Sequence, residues 1–167
     1  MLSPYGPPVS RSASRHSPSA PSSAVAADLG YAAFVERNRP RYLRYATIRL
    51  TVDEKRAAVV TAVLSAARED WGFILSQPSP AAEVWQDLRR RVTELVERTA
   101  SPAPEVSALY ERFGDGLADS VVLCCRLGLD IDEAADLMGA EPPTVTASLA
   151  VAQRALPDLT FGRHLSR

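Results

Sequence analysis

The sequence predicts an all-α fold made of two small helical modules joined by a short Pro-rich linker, and three observations carry that expectation. Apolar residues recur at the 3.6-residue period of a helix in successive segments from Tyr31 to Leu156. Most of these segments are bracketed by helix start and stop signals. No run alternates at period two for long enough to make a strand. With 167 residues the chain has room for one ordinary domain or two small ones, which excludes a large enzyme with separate cofactor and substrate lobes.

Residues 1–27 hold five Pro and eight Ser and almost no large apolar side chain. They cannot bury enough surface to offset the cost of ordering, so a disordered Ser/Pro/Arg tail is expected. From Tyr31 onward Phe34, Val35, Tyr42, Tyr45, Ala46 and Leu50 share one helical face, with Pro40 expected to kink or break the helix. Thr51-Val52-Asp53-Glu54 has the form of a capping box, opening a second helix whose stripe of Val59, Ala62, Val63, Ala66 and Ala67 runs toward Trp71-Gly72-Phe73. Ser79-Pro80 is an N-cap followed by Pro at the first helical position. Trp85, Leu88, Val92, Leu95 and Thr99 then lie on one face of a third helix that ends by Ala100. These helices make a module over residues 28–100. Ser101-Pro102-Ala103-Pro104 is the linker, residues 101–104.

Past the linker, Val106, Leu109, Tyr110 and Phe113 mark a short helix stopped by Gly114-Asp115-Gly116, and Leu117, Val121, Cys124 and Leu127 mark another closed by Gly128. Asp130 with Glu133 forms the next N-cap and its reciprocal acid, starting a helix through Met138 that Gly139 turns. The last helix begins near Pro142-Pro143, keeps Val145, Leu149, Ala152 and Leu156 inward, and stops at Pro157. Residues 105–157 form the second module, and residues 158–167 a C-terminal tail.

Charge and chemistry narrow the function. The net charge is -1, but residues 105–167 carry ten acids against five bases, so nucleic-acid contact has to come from a local basic patch. The adjacent Cys124 and Cys125 cannot form an ordinary disulfide and lack the spacing of a zinc site, and one of them is expected to be a core residue. His16 lies in the tail and His164 near the end, and no Gly-rich phosphate cradle is present. No catalytic residue, metal, cofactor or small-molecule substrate is therefore expected. No apolar run reaches membrane-spanning length and no secretory leader is evident, so a cytoplasmic location and no membrane partner are expected.

The segment GLADSVVLCCRLGLDIDEAADLMGAEPPTVTASLAVAQRAL, residues 116–156, resembles the region-4 domain of sigma-70 family factors of the extracytoplasmic-function type. Glu133-Ala134-Ala135-Asp136-Leu137-Met138-Gly139 sits on the family's A-E-I-A-x-x-L-G segment. Thr144-Val145, Leu149, Ala152, Arg154 and Leu156 sit on the recognition-helix segment that follows. FVERNRPRYLRYATIRL, residues 34–50, is similar to the first helix of region 2, and SPAAEVWQDLRRRV, residues 79–92, resembles the segment that meets the promoter -10 element. The resemblance spans residues 31–157. It implies a region-2-like bundle and a region-4-like helix-turn-helix in a bacterial transcription factor. The implied partners are core RNA polymerase, promoter DNA and an anti-sigma factor.

Two groups of residues are the candidates for DNA contact. Trp85 with Arg89, Arg90 and Arg91 sets an aromatic platform beside positive charge, the combination that holds unstacked single-stranded bases. The alternative is that Trp85 belongs to the core face and that the arginines are a solvated face balanced by Glu94 and Glu97. On the recognition helix, Thr144, Thr146, Ser148 and Arg154 face the groove. A second basic strip comprises Arg37, Arg39, Arg41 and Arg44.

The departures from the family pattern are in the charges. Thr146, Ser148 and Val151 stand where the family usually places Lys or Arg, and residues 142–153 contain no charged side chain. In the second helix, Lys55-Arg56-Ala57-Ala58-Val59-Val60 replaces a usually acidic, polymerase-docking stretch. A second reading follows from these departures: a degenerate sigma-like interaction module that titrates polymerase or an anti-sigma partner and binds little DNA of its own.

Overall fold

A computed structural model of the chain describes residues 23–99 and 103–157. Of the tail expected over residues 1–27, residues 1–22 lie outside the described residues, as do residues 100–102 and 158–167, whereas residues 23–27, expected to be disordered, are helical. Among the described residues the fold is all-α, with eight α-helices, one π-helical turn and no strand.

The first helix, α1 (Ser23–Arg49), starts eight residues before the apolar pattern becomes visible and runs through Pro40 without a break. Both departures from expectation have local causes. The Ala-rich segment Ser23–Ala27 carries good helix formers that need no buried face of their own. At Pro40, both the ring and Glu36, whose carbonyl loses its donor, are exposed, while Tyr42, Tyr45 and Ala46 are fully buried just beyond and hold the second half in place.

Helix α2 (Asp53–Glu69) does not begin with the expected capping box. Its N-cap is Val52, which has no side-chain acceptor. The preceding turn is tied instead by Arg56, which donates to the carbonyls of Leu50 at 2.8 Å and Thr51 at 3.3 Å and pairs with Asp53. A short α3 (Trp71–Leu75) places Trp71 against Tyr31 and Phe34 of α1, with ring centroids 5.4 and 5.2 Å apart. Helix α4 (Pro80–Arg98) starts as its sequence predicts, with Pro80 at the first position and Ser79 Oγ accepting from the Ala82 amide at 3.2 Å.

Helix α5 (Pro104–Phe113) takes the last expected linker residue as its first. It ends at Gly114, whose φ of 71° and ψ of 173° suit only glycine well. Helix α6 (Asp115–Val121) continues into the π-helical turn Val122–Arg126, where the Leu127 amide reaches back to the Val122 carbonyl at 3.0 Å. The expected capping box opens α7 (Ile131–Met138). The Glu133 amide donates to Asp130 Oδ1 at 2.7 Å, and the Asp130 amide donates to Glu133 Oε2 at 3.1 Å. Gly139, left-handed at φ 63°, ends the helix and leads into α8 (Pro142–Ala155).

The helices on the two sides of the linker share one hydrophobic cluster. It runs from Tyr42, Val60 and Leu88 to Leu123, Leu137 and Val145, all fully buried. Helix α7 packs on α4, and the π turn packs on α1. The closest approach is at the α7–α8 turn: a Cβ on Gly139 would collide with the Ala82 backbone and with Ser79 Oγ at the head of α4. Only a residue without a side chain lets that turn seat where it does.

Candidate nucleic-acid interface

Helix α8 presents the two faces its spacing predicts. Val145, Leu149 and Ala152 are buried, whereas Thr144, Thr146 and Arg154 are exposed, Ser148 is half-buried and Val151 is 41% exposed. Thr146 Oγ1 donates to the Pro142 carbonyl at 3.0 Å, so this hydroxyl meets any outside group as an acceptor. Within its first three turns the outward face is uncharged, and Arg154 stands alone at its far end.

The α4 candidates are placed differently from one another. Trp85 is 3% exposed, with its ring 4.7 Å from that of Tyr45 and 6.1 Å from that of Tyr42. The ring is buried in the core, so no base can stack on it in this arrangement. Arg90 is exposed and pairs with Asp87 at 2.6 Å and Glu94 at 2.7 Å, and Arg91 also engages Asp87, at 2.9 Å. Arg89 turns toward the C-terminal helices, with Nε 3.9 Å from Asp115 and Nη1 3.8 Å from Asp119. Most of the positive charge of this cluster is thus matched by carboxylates of the chain itself.

The second basic strip splits in the same way. Arg37, Arg41 and Arg44, one helical face of α1, all reach the C-terminal helices. Arg37 meets Asp136 at 2.5 Å, Arg41 meets Glu133 at 3.3 Å, and Arg44 donates to the Leu127 carbonyl at 2.5 Å. Arg39 is exposed on another face.

Behind these contacts lies a polar cluster that the sequence reading passed over. Asp119 of α6 is fully buried and accepts at Oδ1 from Tyr45 of α1 at 2.8 Å and from Tyr110 of α5 at 2.6 Å. Arg49 of α1 donates to the Tyr45 hydroxyl at 3.1 Å, and its guanidinium lies over the Tyr110 ring, 3.4 Å from the centroid. Burial pushes the Asp119 carboxyl up to about 6, against the lowering effect of the two tyrosine hydroxyls, Arg49 and Arg89. Burial and the neighbouring carboxylate also hold the Tyr45 and Tyr110 hydroxyls protonated far above the ordinary tyrosine range.

A signal for this cluster was present. Asp119 interrupts the apolar run Leu117-Ala118 and Val121-Val122-Leu123, and an acid at a core position is almost never fully buried unless partnered. Cys124 and Cys125 are both half-buried in the π turn rather than one being a core residue. Burial pushes their thiols up to about 12 and about 11. No helix among the described residues is long and apolar enough to cross a membrane. Comparison with protein-family models, with curated proteins and with solved structures finds no match to this chain.

Proposed function

We propose that this chain is a non-enzymatic, cytoplasmic, sigma-70-like transcription factor of the extracytoplasmic-function type, working with core RNA polymerase on promoter DNA. The observation that carries the reading is the α7–turn–α8 unit. A capped eight-residue helix, a left-handed glycine and a second helix with its apolar face turned inward leave Thr144, Thr146 and Arg154 exposed and Ser148 half-buried. A helix so presented fits the major groove, and its hydroxyls and terminal arginine suit phosphate and base edges. The residue-by-residue resemblance over residues 116–156 supports the same role. Of Arg89, Arg90 and Arg91, Arg90 is the most exposed for the second promoter element.

One observation favours the second reading, a sigma-like interaction module that titrates polymerase or an anti-sigma partner. The first three turns of α8 carry no charge, although Lys and Arg supply most of the sequence-independent affinity for DNA. Copurification with core RNA polymerase, followed by footprinting of the complex on promoter DNA, separates the two. Capture of polymerase with a protected promoter supports the first. Capture without protection supports the second, and no capture of either polymerase or an anti-sigma protein removes both.

A further inference from the structure

We infer that the Pro-rich segment of residues 4–11 docks on an acidic, aromatic-edged groove of its own chain, between α2, α3 and α4. The groove has a volume of about 180 Å³ and an apolar floor that includes Val63, Ala67, Ile74 and Val84. Its edge carries Phe73, which at 66% is the most exposed large apolar side chain among the described residues. Asp70, Glu83 and Asp87 also line it, and no cationic side chain does. Asp87 is engaged by Arg90 and Arg91, whereas Asp70 and Glu83 have no ion-pair partner among the described residues. Two unmatched carboxylates beside an exposed ring select a segment that is both cationic and extended.

Residues 1–22 have that chemistry. They contain Arg11 and Arg15 and no acid, and Pro4-Tyr5-Gly6-Pro7-Pro8 lies just ahead of Arg11. Prolines spaced in this way preset a polyproline II form, which lies in aromatic grooves with little further loss of chain entropy. The composition that denies these residues a core of their own therefore does not prevent them from lying on another surface. The tether also fits. Helix α1 sets Tyr31 and Phe34 against Trp71, the first residue of α3, so the chain enters the fold beside the groove. From Ser23 the way to Phe73 is about 12 Å along α1, a ring contact of 5.4 Å, and about one helix diameter of 10–12 Å around α3. The stretch from Arg11 to Ser23 spans up to about 40 Å, so Arg11 reaches Asp70 and Glu83 with slack and leaves Pro7 and Pro8 to cover the Phe73 ring. Such a tether holds the segment at an effective concentration on the order of millimolar, so contacts too weak to capture a free peptide suffice.

The test uses the full chain. Nitroxide labels on Ser10→Cys and on Ser65→Cys, an exposed position of α2, report whether the segment lies at the groove, with Cys124 and Cys125 replaced by serine. The parent is expected to give one short, narrow distance that persists when labelled chain is diluted into excess unlabelled chain. Phe73→Ser combined with Asp70→Asn and Glu83→Gln should broaden and lengthen it. Phe73 and Asp70 are exposed and Glu83 is half-buried, so the fold should survive, and an unchanged circular dichroism spectrum checks this. Arg11→Glu alone should also release the segment, and adding Asp70→Arg with Glu83→Arg should return the short distance by reversing both charges. Trypsin gives a second readout: cleavage tracks the open population, so a segment docked about four-fifths of the time should be cut after Arg11 about fivefold faster in the triple variant. A distance that is broad in the parent overturns the inference, and one that is lost on dilution assigns the groove to a second copy of the chain. A short distance that survives the triple variant, or that the reversed charges fail to restore, also overturns it.

Discussion

Replacing Gly139 by alanine measures how tightly the α7–α8 turn is seated on α4. Two costs add. At φ +63° a side chain is strained whatever the space around it, by roughly 1–2 kcal/mol. The new Cβ would also stand 2.6 Å from the Ala82 Cα, closer still to the Ala82 amide nitrogen and Ser79 Oγ, and because backbone cannot swing aside the whole turn has to back away. Such overpacking costs about 1–3 kcal/mol, giving a total of about 2–5 kcal/mol. For a chain of this size that corresponds to a fall in Tm of roughly 5–15 °C. Gly128→Ala is the matched control: its φ is +70°, but nothing lies within 4 Å of the added carbon, so only the backbone strain of about 1–2 kcal/mol should appear. Urea denaturation of both variants gives the difference directly. Equal destabilisation would refute the close approach of the turn to α4 and, with it, the common packing of the two helix sets.

Two further outcomes follow from the polar cluster and from α8. Because the buried Asp119 carboxyl lies near 6 instead of its ordinary 3.8, the folded chain holds that proton more tightly than the unfolded one, and stability should rise as pH falls from 7 toward 5, by up to about 3 kcal/mol over the full window down to 4. The charged and titratable groups facing it are Tyr45 and Arg49 of α1, Arg89 of α4, Tyr110 of α5 and, through Arg89, Asp115 of α6. Asp119→Asn should flatten the profile, and a stability that only declines on acidification from pH 7 would contradict the assignment. On α8, Thr146→Lys, Ser148→Arg and Val151→Arg together leave the buried Val145, Leu149 and Ala152 untouched. The full chain should then gain affinity for a promoter duplex, with a salt slope steeper by up to about 3 units at roughly 0.9 per phosphate. An unchanged slope would mean that this face does not reach DNA.

Much of the helical framework was legible because its signals are local. Ser79-Pro80, the Asp130–Glu133 pair and Gly139 each act within four residues, so the sequence places the starts of α4 and α7 and the end of α7 correctly. The capping box at Thr51 failed because Arg56, several residues on, ties the turn and shifts the start of α2 by one residue. What helical periodicity cannot supply is the identity of the partner across a face. Trp85 lies on a buried stripe by its spacing, yet only the fold shows Tyr42 and Tyr45 as its ring neighbours. Likewise Arg37, Arg41 and Arg44 align at intervals of four and three in the sequence. Nothing in the sequence of α1 indicates that acids 90 or more residues away oppose two of them, at separations of 99 and 92.

The span between Tyr45 and Asp119, 74 residues, also sets a schedule for synthesis. At translation rates of about 5–20 residues per second, the hydroxyl of Tyr45 waits roughly 4–15 s on the ribosome before its carboxylate partner has been made. Individual helices form in about a microsecond or less once their residues are made, so α1 forms early in that interval, and α4, complete only at Arg98, stands uncovered for its last part, roughly 1–4 s. The nascent chain therefore passes through a stage in which the surface later sealed by its own C-terminal half is open to whatever polyanion or chaperone is near. The order in which the chain is made, and not only its final energy, decides which contact that surface meets first.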